Sequence, residues 1–186
     1  MIIERLPEPI DALVIGDTLT DSELADVLSE AKSLCKRDGG NGVWINEIYK
    51  DITSSSAHHS VMNNLFTEDI ADALSEMNSS LGLYRNINMH SILVNHYGNS
   101  QSLMLREDAA VFIAKTFIFE EPKSFEGGNI ILQVNADVAY EQDIQNNMTV
   151  LFPASYYHGL SEVSATEESD GLYVITTYMF ISGKTD

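Results

Sequence analysis

The sequence predicts an α+β domain that is mainly β: a double-stranded β-helix, or jelly roll, with supporting N-terminal helices. Three observations lead there. Apolar residues recur at helical spacing in the first half, where Leu24, Val27, Leu28, Ala31, Leu34 and Cys35 form one stripe. From Ser91 onward the pattern changes to short β-branched and aromatic runs at 91–97, 111–119, 129–134, 149–152 and 173–181, separated by turn residues. The chain of 186 residues, 44% of them hydrophobic, is long enough for one real core. No internal repeat or low-complexity linker divides it, so 1–186 is read as a single domain. Helical support is expected over roughly 1–88 and the jelly-roll core over roughly 89–183.

The first helix has a clear start. Thr20-Asp21-Ser22-Glu23 is a capping box, in which the Thr20 hydroxyl and the Glu23 carboxylate satisfy free backbone donors. The helix is expected to end at Asp38-Gly39-Gly40-Asn41-Gly42, which has the backbone freedom for a C-cap and turn. Ser54-Ser55-Ser56-Ala57-His58-His59-Ser60 reads as a loop, with its adjacent histidines solvent-exposed because no further ligand is near them in sequence. A second helix begins near Thr67, where Glu68 and Asp69 suit the positive end of the dipole. It buries Ile70, Ala73, Leu74, Met77 and Leu81. His90 and His96 belong to the strand that follows and have no ligand spacing of their own.

Charge narrows the partners. Ten Lys+Arg against 28 Asp+Glu give a formal charge of -18, which repels a phosphate backbone and an anionic membrane surface. Neither nucleic acid nor a membrane is therefore an expected partner, and the acidic residues read as a solvated surface. The single Cys35 excludes an internal disulfide, is compatible with a reducing compartment, and lies on the apolar face of its helix as a core thiol. The N-terminus lacks a basic region followed by a long apolar one, and no apolar run is long enough to span a bilayer, so a cytoplasmic protein is expected. There is no nucleophile elbow, phosphate-binding loop or dinucleotide-binding glycine pattern.

Chemistry concentrates between Tyr97 and Phe180. Arg106-Glu107-Asp108 precedes an apolar strand, and in extended backbone side chains two apart share a side, so Arg106 and Asp108 converge. His158 follows Asp108 by 50 residues, after Leu151-Phe152-Pro153, and returns to that pair only if the sheet folds over. In order, Tyr97-Gly98, Arg106-Glu107-Asp108, the strand through Phe119, Phe125-Glu126-Gly127-Gly128, Leu151-Phe152-Pro153, His158 and Gly171-Leu172-Tyr173 resemble the Fe(II)/2-oxoglutarate oxygenase superfamily. The branch resembled is the prolyl 4-hydroxylase-like one, in its small bacterial or phage form. That branch runs from a tyrosine-glycine entry through a His-x-Asp pair, a Phe-x-Gly-Gly hairpin, a Phe-Pro strand end and a distal histidine to Arg-Tyr. The match covers the C-terminal half.

The resemblance implies a 2-oxoglutarate- and Fe(II)-dependent hydroxylase, with Asp108 and His158 as metal ligands and Tyr97, Lys115 and Leu172 at co-substrate positions. Two positions depart from it. Arg106 stands where the first ligand histidine is expected, and a guanidinium stays protonated and has no lone pair to donate. Leu172 stands where arginine or lysine would clamp the distal carboxylate of 2-oxoglutarate. Lys115 is the nearby cation that offers a replacement, although on a strand it also reads as outward-facing. Arg106 has two readings as well, a bridge to Asp108 in place of the metal or a side chain turned to solvent.

Three functional readings follow. The first is a hydroxylase-like oxygenase using Fe(II) and 2-oxoglutarate on a small-molecule or protein substrate. The second is a pseudoenzyme that binds neither and serves as a binding or interaction module, and it is favoured because the two substitutions remove different requirements of one reaction. The third is an unrelated jelly roll, cupin-like or viral, in which Asp108 and His158 lie apart.

Overall fold

The computed structural model describes residues 1–37, 42–167 and 170–183. The capping box forms as expected: the Glu23 carboxylate accepts from the Thr20 backbone N–H at 2.9 Å, and the Glu23 N–H donates to the Thr20 hydroxyl at 3.3 Å. It opens α1 (Asp21–Arg37). The expected C-cap lies outside the described residues except for Gly42.

The serine-rich segment read as a loop is a helix instead, α3 (Ser56–Asn64), preceded by the single turn α2 (Ile45–Ile48). Ser55 is its N-cap, accepting from the His58 N–H, and Ala57, Ser60 and Val61 form the buried face at helical spacing. Serine is a loop former and an equally good cap, and here the cap prevails because an apolar stripe follows. Glu30 of α1 fastens the start of α3 by accepting from the Ala57 N–H at 2.8 Å and the Ser55 hydroxyl at 3.2 Å. Of the adjacent histidines, His59 is exposed, but His58 is half-buried and stacks on His90, with ring centroids 5.2 Å apart. The helix expected at Thr67 is α4 (Glu68–Met77), capped by the Thr67 side chain.

The region expected to be helical also contributes strands. These are β1 (Ile2–Arg5), β2 (Leu13–Gly16) and β3 (Val43–Trp44). They are too short to show alternation; β2 pairs with the longer β10 and β3 with the longer β4, while β1 adds to the edge of β2. The rest are β4 (Met89–Tyr97), β5 (Leu103–Arg106), β6 (Phe112–Ile118), β7 (Phe125–Gly127), β8 (Ile130–Asn135), β9 (Val138–Gln142), β10 (Met148–Pro153), β11 (Tyr157–Leu160), β12 (Val163–Ala165) and β13 (Leu172–Phe180).

Among the described residues the larger sheet runs β1-β2-β10-β6-β13-β4-β3 and the smaller β5-β11-β8-β9, with β7 and β12 paired separately. This is the jelly roll the sequence predicts. The Gly127-Gly128 pair takes the positive φ expected of it, +73° and +71°, but it does not form a hairpin: it carries the chain from β7 into β8, in another sheet.

Two cores lie on opposite faces of the larger sheet. Phe112, Ala114 and Ile118 of β6 and Ile175 and Met179 of β13 pack with Val27, Ala31, Leu34 and Cys35 of α1 and with Ile70 and Leu74 of α4. On the other face, Ile113 and Phe117 of β6, Val150 and Phe152 of β10 and Val174 of β13 meet Ile130, Leu132 and Leu160 of the smaller sheet. Each fully buried Val, Leu, Ile, Phe or Met among these contributes roughly 1.5–3 kcal/mol, which makes the sheet between them the rigid element of the domain. Strand β6 is covered on both sides, and all seven of its residues are buried.

A candidate anion site at the barrel mouth

The smaller sheet brings together what the chain separates. Arg106 at the end of β5 pairs in register with His158 of β11, and Asp108 lies two residues beyond Arg106. The His158 Nε2 and the Asp108 Oδ2 are 3.3 Å apart, so the two expected metal ligands converge. Arg106 forms the ion pair with Asp108 through Nη2 and Oδ1. It does so from the rim: its side chain is 56% exposed, whereas that of Asp108 is 10% exposed and that of His158 is fully buried. Arg106 therefore closes the site from outside rather than filling it.

Lys115 corrects the expectation of an outward-facing lysine. It is 2% exposed. The cause is periodicity: Lys115 shares a face of β6 with Ile113 and Phe117, and that face is the barrel interior. Its Nζ donates to the Thr176 hydroxyl at 3.1 Å across the β6–β13 pair, and among the described residues no carboxylate is within 4.0 Å of it. Burial lowers its pKa to about 8, Asp108 opposes that shift, and Arg106 adds to it.

Leu172 is fully buried and joins the apolar packing around Ile130, Val163 and Val174. On β13 it lies four residues from Thr176, roughly 13 Å along the strand, so Lys115 does not stand in at the Leu172 position. Its ammonium belongs with Asp108 and His158. Tyr97, half-buried at the end of β4, and Tyr178 of β13 complete the wall. Burial raises the pKa of both phenols; Asp108 raises Tyr178 further, and Arg106 pulls each back. No feature of the sequence singled out Tyr178 or Trp44, whose rings lie 5.5 Å apart at the open side of this wall.

The donor set can be tested against Fe(II). His158 Nε2 and Asp108 Oδ2 are buried, have no hydrogen-bond partner, and are spaced like two neighbouring ligands of one ion. The rest does not fit. Among the described residues no group of three His, Cys, Asp or Glu side chains is arranged to hold a metal ion. Arg106 already takes the other Asp108 oxygen, and Lys115 directs a second positive charge at the same place. The buried Lys115 charge opposes a dication, and the pairing of Arg106 with Asp108 weakens what that carboxylate can supply to one.

The hydrogen bonding by itself does not oppose a metal, since an N–H on Nδ1 toward the Tyr156 carbonyl leaves the Nε2 lone pair free. Burial and, after it, the Lys115 charge lower the His158 pKa to about 4 against the opposition of Asp108, so the ring is neutral and carries one N–H. It faces two acceptors, the Tyr156 carbonyl at 3.4 Å from Nδ1 and the Asp108 carboxylate at Nε2, so one of them goes without a proton.

No protein-family model matches the sequence, and no curated protein matches it either. Solved structures do resemble the fold. A prolyl-4-hydroxylase from Pseudomonas putida superposes with a TM-score of 0.62 at 10% identity, covering 94% of this chain and 90% of that one. A prolyl hydroxylase from Trichoplax adhaerens, solved with a hypoxia inducible factor oxygen degradation domain peptide fragment, gives 0.62 at 16% identity over 93% and 84%. A prolyl 4-hydroxylase from Phytophthora capsici gives 0.60 at 13% identity over 92% and 59%. The protein is a double-stranded β-helix. Its fold is that of the prolyl 4-hydroxylase-like 2-oxoglutarate/Fe(II) oxygenases.

Proposed function

We propose that this chain is a non-oxidising member of that fold, a pseudoenzyme whose barrel mouth binds a small organic carboxylate instead of Fe(II). The observation that carries this reading is the pair of cations around the two residual ligands: Arg106 is bonded to Asp108, and Lys115 is buried behind them. Counting Arg106, Lys115 and Asp108, with His158 neutral, the site has one positive charge left over inside a chain of formal charge -18. A carboxylate neutralises it; a metal dication adds to it.

A second reading is favoured by the unpartnered, converging Asp108 Oδ2 and His158 Nε2. In it, those two residues hold Fe(II), 2-oxoglutarate completes the site, and the chain is a hydroxylase. Lys115 would then meet a co-substrate carboxylate beside the ion, and Tyr97 would line the same wall.

Anaerobic calorimetric titration with Fe(II), with and without 2-oxoglutarate, separates the two. The unmodified protein is expected to show no binding at micromolar concentration, and the Arg106→His/Lys115→Met variant, which removes both cations and supplies an imidazole, is expected to gain it. Micromolar binding by the unmodified protein together with 2-oxoglutarate turnover overturns the pseudoenzyme reading.

A further inference from the structure

A groove runs between α1 and the segment that leads into α3, on the helical face of the larger sheet and away from the barrel interior. It consists of two adjoining cavities of about 340 and 220 Å³, which share Asp26, Ser54 and Ser56. Its α1 wall is a row of carboxylates. Glu23, Asp26 and Glu30 follow one another by three and four residues, so they stand on one face of the helix at intervals of roughly 4.5 Å and 6 Å along its axis. Structural bonds hold the outer two. Glu23 accepts from Thr20 and Asn64, and Glu30 accepts from the Tyr49 and Ser55 hydroxyls and the Ala57 N–H. Asp26, where the cavities meet, has no hydrogen bond or ion pair among the described residues. Among those residues no Lys or Arg lines either cavity, and the His59 imidazole is the one basic side chain beside the three carboxylates.

The floor of the groove adds an independent observation. Ser60 is 3% exposed and lines the smaller cavity, yet its hydroxyl makes no hydrogen bond among the described residues. The hydroxyls of Ser54 and Ser56, at the junction of the two cavities, are likewise unbonded. From this arrangement we infer that the groove binds a linear aliphatic polyamine laid along α1. Carboxylates without a cationic partner call for a cation rather than a neutral polyol, and the unbonded hydroxyls accept the remaining ammonium protons. The carboxylates stand a helical turn apart instead of converging, and among the described residues no three such groups are arranged to hold a metal ion, so the charge belongs on a chain of atoms and not on one ion. A triamine with a three-carbon and a four-carbon spacer has its nitrogens roughly 5 Å and 6 Å apart when extended, close to the intervals of the carboxylate row. The buried Leu34 offers its methylenes an apolar contact in the larger cavity. This site is separate from the barrel mouth and does not depend on what the mouth binds.

The protein is titrated with spermidine, which is such a triamine, with butane-1,4-diamine, with Mg²⁺ and with tetralysine, following heat and the thermal unfolding midpoint. Physiological ionic strength screens the general attraction of any cation to a chain of formal charge -18. Saturable binding of one spermidine is expected, with the diamine weaker by about tenfold, the loss of one charge-assisted contact. Asp26→Asn, at an exposed position that makes no bonds, is expected to weaken spermidine by about tenfold as well, and Ser60→Ala is expected to weaken it by a smaller factor. The same charge removed by Asp137→Asn, in the turn between β8 and β9, is expected to change nothing. Equal weakening by Asp137→Asn and Asp26→Asn means attraction to the surface at large and overturns the inference. Spermidine binding that is indifferent to both Asp26→Asn and Ser60→Ala lies elsewhere and overturns it too. Tighter binding of Mg²⁺ or of tetralysine than of spermidine assigns the groove to a dication or to a basic peptide instead, and absence of spermidine binding in both heat and unfolding midpoint leaves it without a ligand of this class; either result overturns the inference.

Discussion

A charged ammonium has three protons to place, and Lys115 places one of them, on the Thr176 hydroxyl. Burying a charge with so little compensation costs several kcal/mol, and that cost is what lowers the pKa to about 8. An interior of this kind is retained at the expense of stability. Replacing both partners by apolar groups of similar shape, Lys115→Met with Thr176→Val, is therefore expected to leave the urea midpoint unchanged or raise it, by an amount equivalent to about 1–3 kcal/mol. A loss of comparable size would mean that the lysine holds the barrel together rather than serving a guest. The residue was legible in one respect that the strand reading overlooked. In Phe112-Ile113-Ala114-Lys115-Thr116-Phe117-Ile118 the neighbours two positions away are Ile113 and Phe117, which puts Lys115 on an apolar face. The ion pair of Arg106 with Asp108 was legible from their two-residue spacing. Whether Arg106 lies inside or at the rim was not, because that depends on how far β5 extends past β11.

Strand β5 sets that reach, and a single glycine sets β5. The register between β5 and β11 shifts between His158 and Leu160, and at Gly159 an added Cβ would lie 2.6 Å from the Leu103 carbonyl oxygen. Gly159→Ala is accordingly expected to push β5 off the sheet at a cost of roughly 1–3 kcal/mol. Hydrogen exchange should then show faster exchange for the β5 amides while β6 and β13 remain protected. If β5 keeps its protection, the close approach at Gly159 does not fix the strand. The elements divided cleanly in how well the sequence announced them. Long runs such as β4, β6 and β13 were found within one or two residues, because β-branched and aromatic side chains sustained over a run leave little alternative. Strands of two to five residues, including β2, β3, β5 and β11, carry too few side chains to show alternation, and they exist because a neighbouring strand supplies half of their hydrogen bonds. Trp44 lies on one of these, so the aromatic wall had no signature in the sequence.

At the level of the whole molecule, four of the five histidines, His58, His90, His96 and His158, have lowered pKa values, burial being the largest cause in each case. A lowered histidine resists protonation in the folded state, so the unfolded chain takes up protons first. Their contribution is complete above the unfolded value of about 6.5 and is lost as pH falls toward the folded values, about 4 for His158. Stability is therefore expected to decline from roughly pH 6.5 to pH 5, with His158 alone contributing a slope of up to about 1.4 kcal/mol per unit. The relief of repulsion among 28 acidic residues opposes this trend, but most carboxylates stay ionised until roughly pH 4.5, so the histidines govern the window. Urea midpoints at several pH values check it, and a flat profile over that window would refute the buried, neutral state of these rings. The larger sheet also has an order of assembly written into it. Strand β13 lies between β6 and β4, pairing with both along most of its length, and it follows every other described strand in the chain. During synthesis β4 and β6 must wait for it, nine and seven residues long, each with one bare edge of amides and carbonyls. A chain interrupted before Gly171 would keep both edges open and serve as a template for another such chain, so the hazard this molecule must survive is a matter of timing on the ribosome.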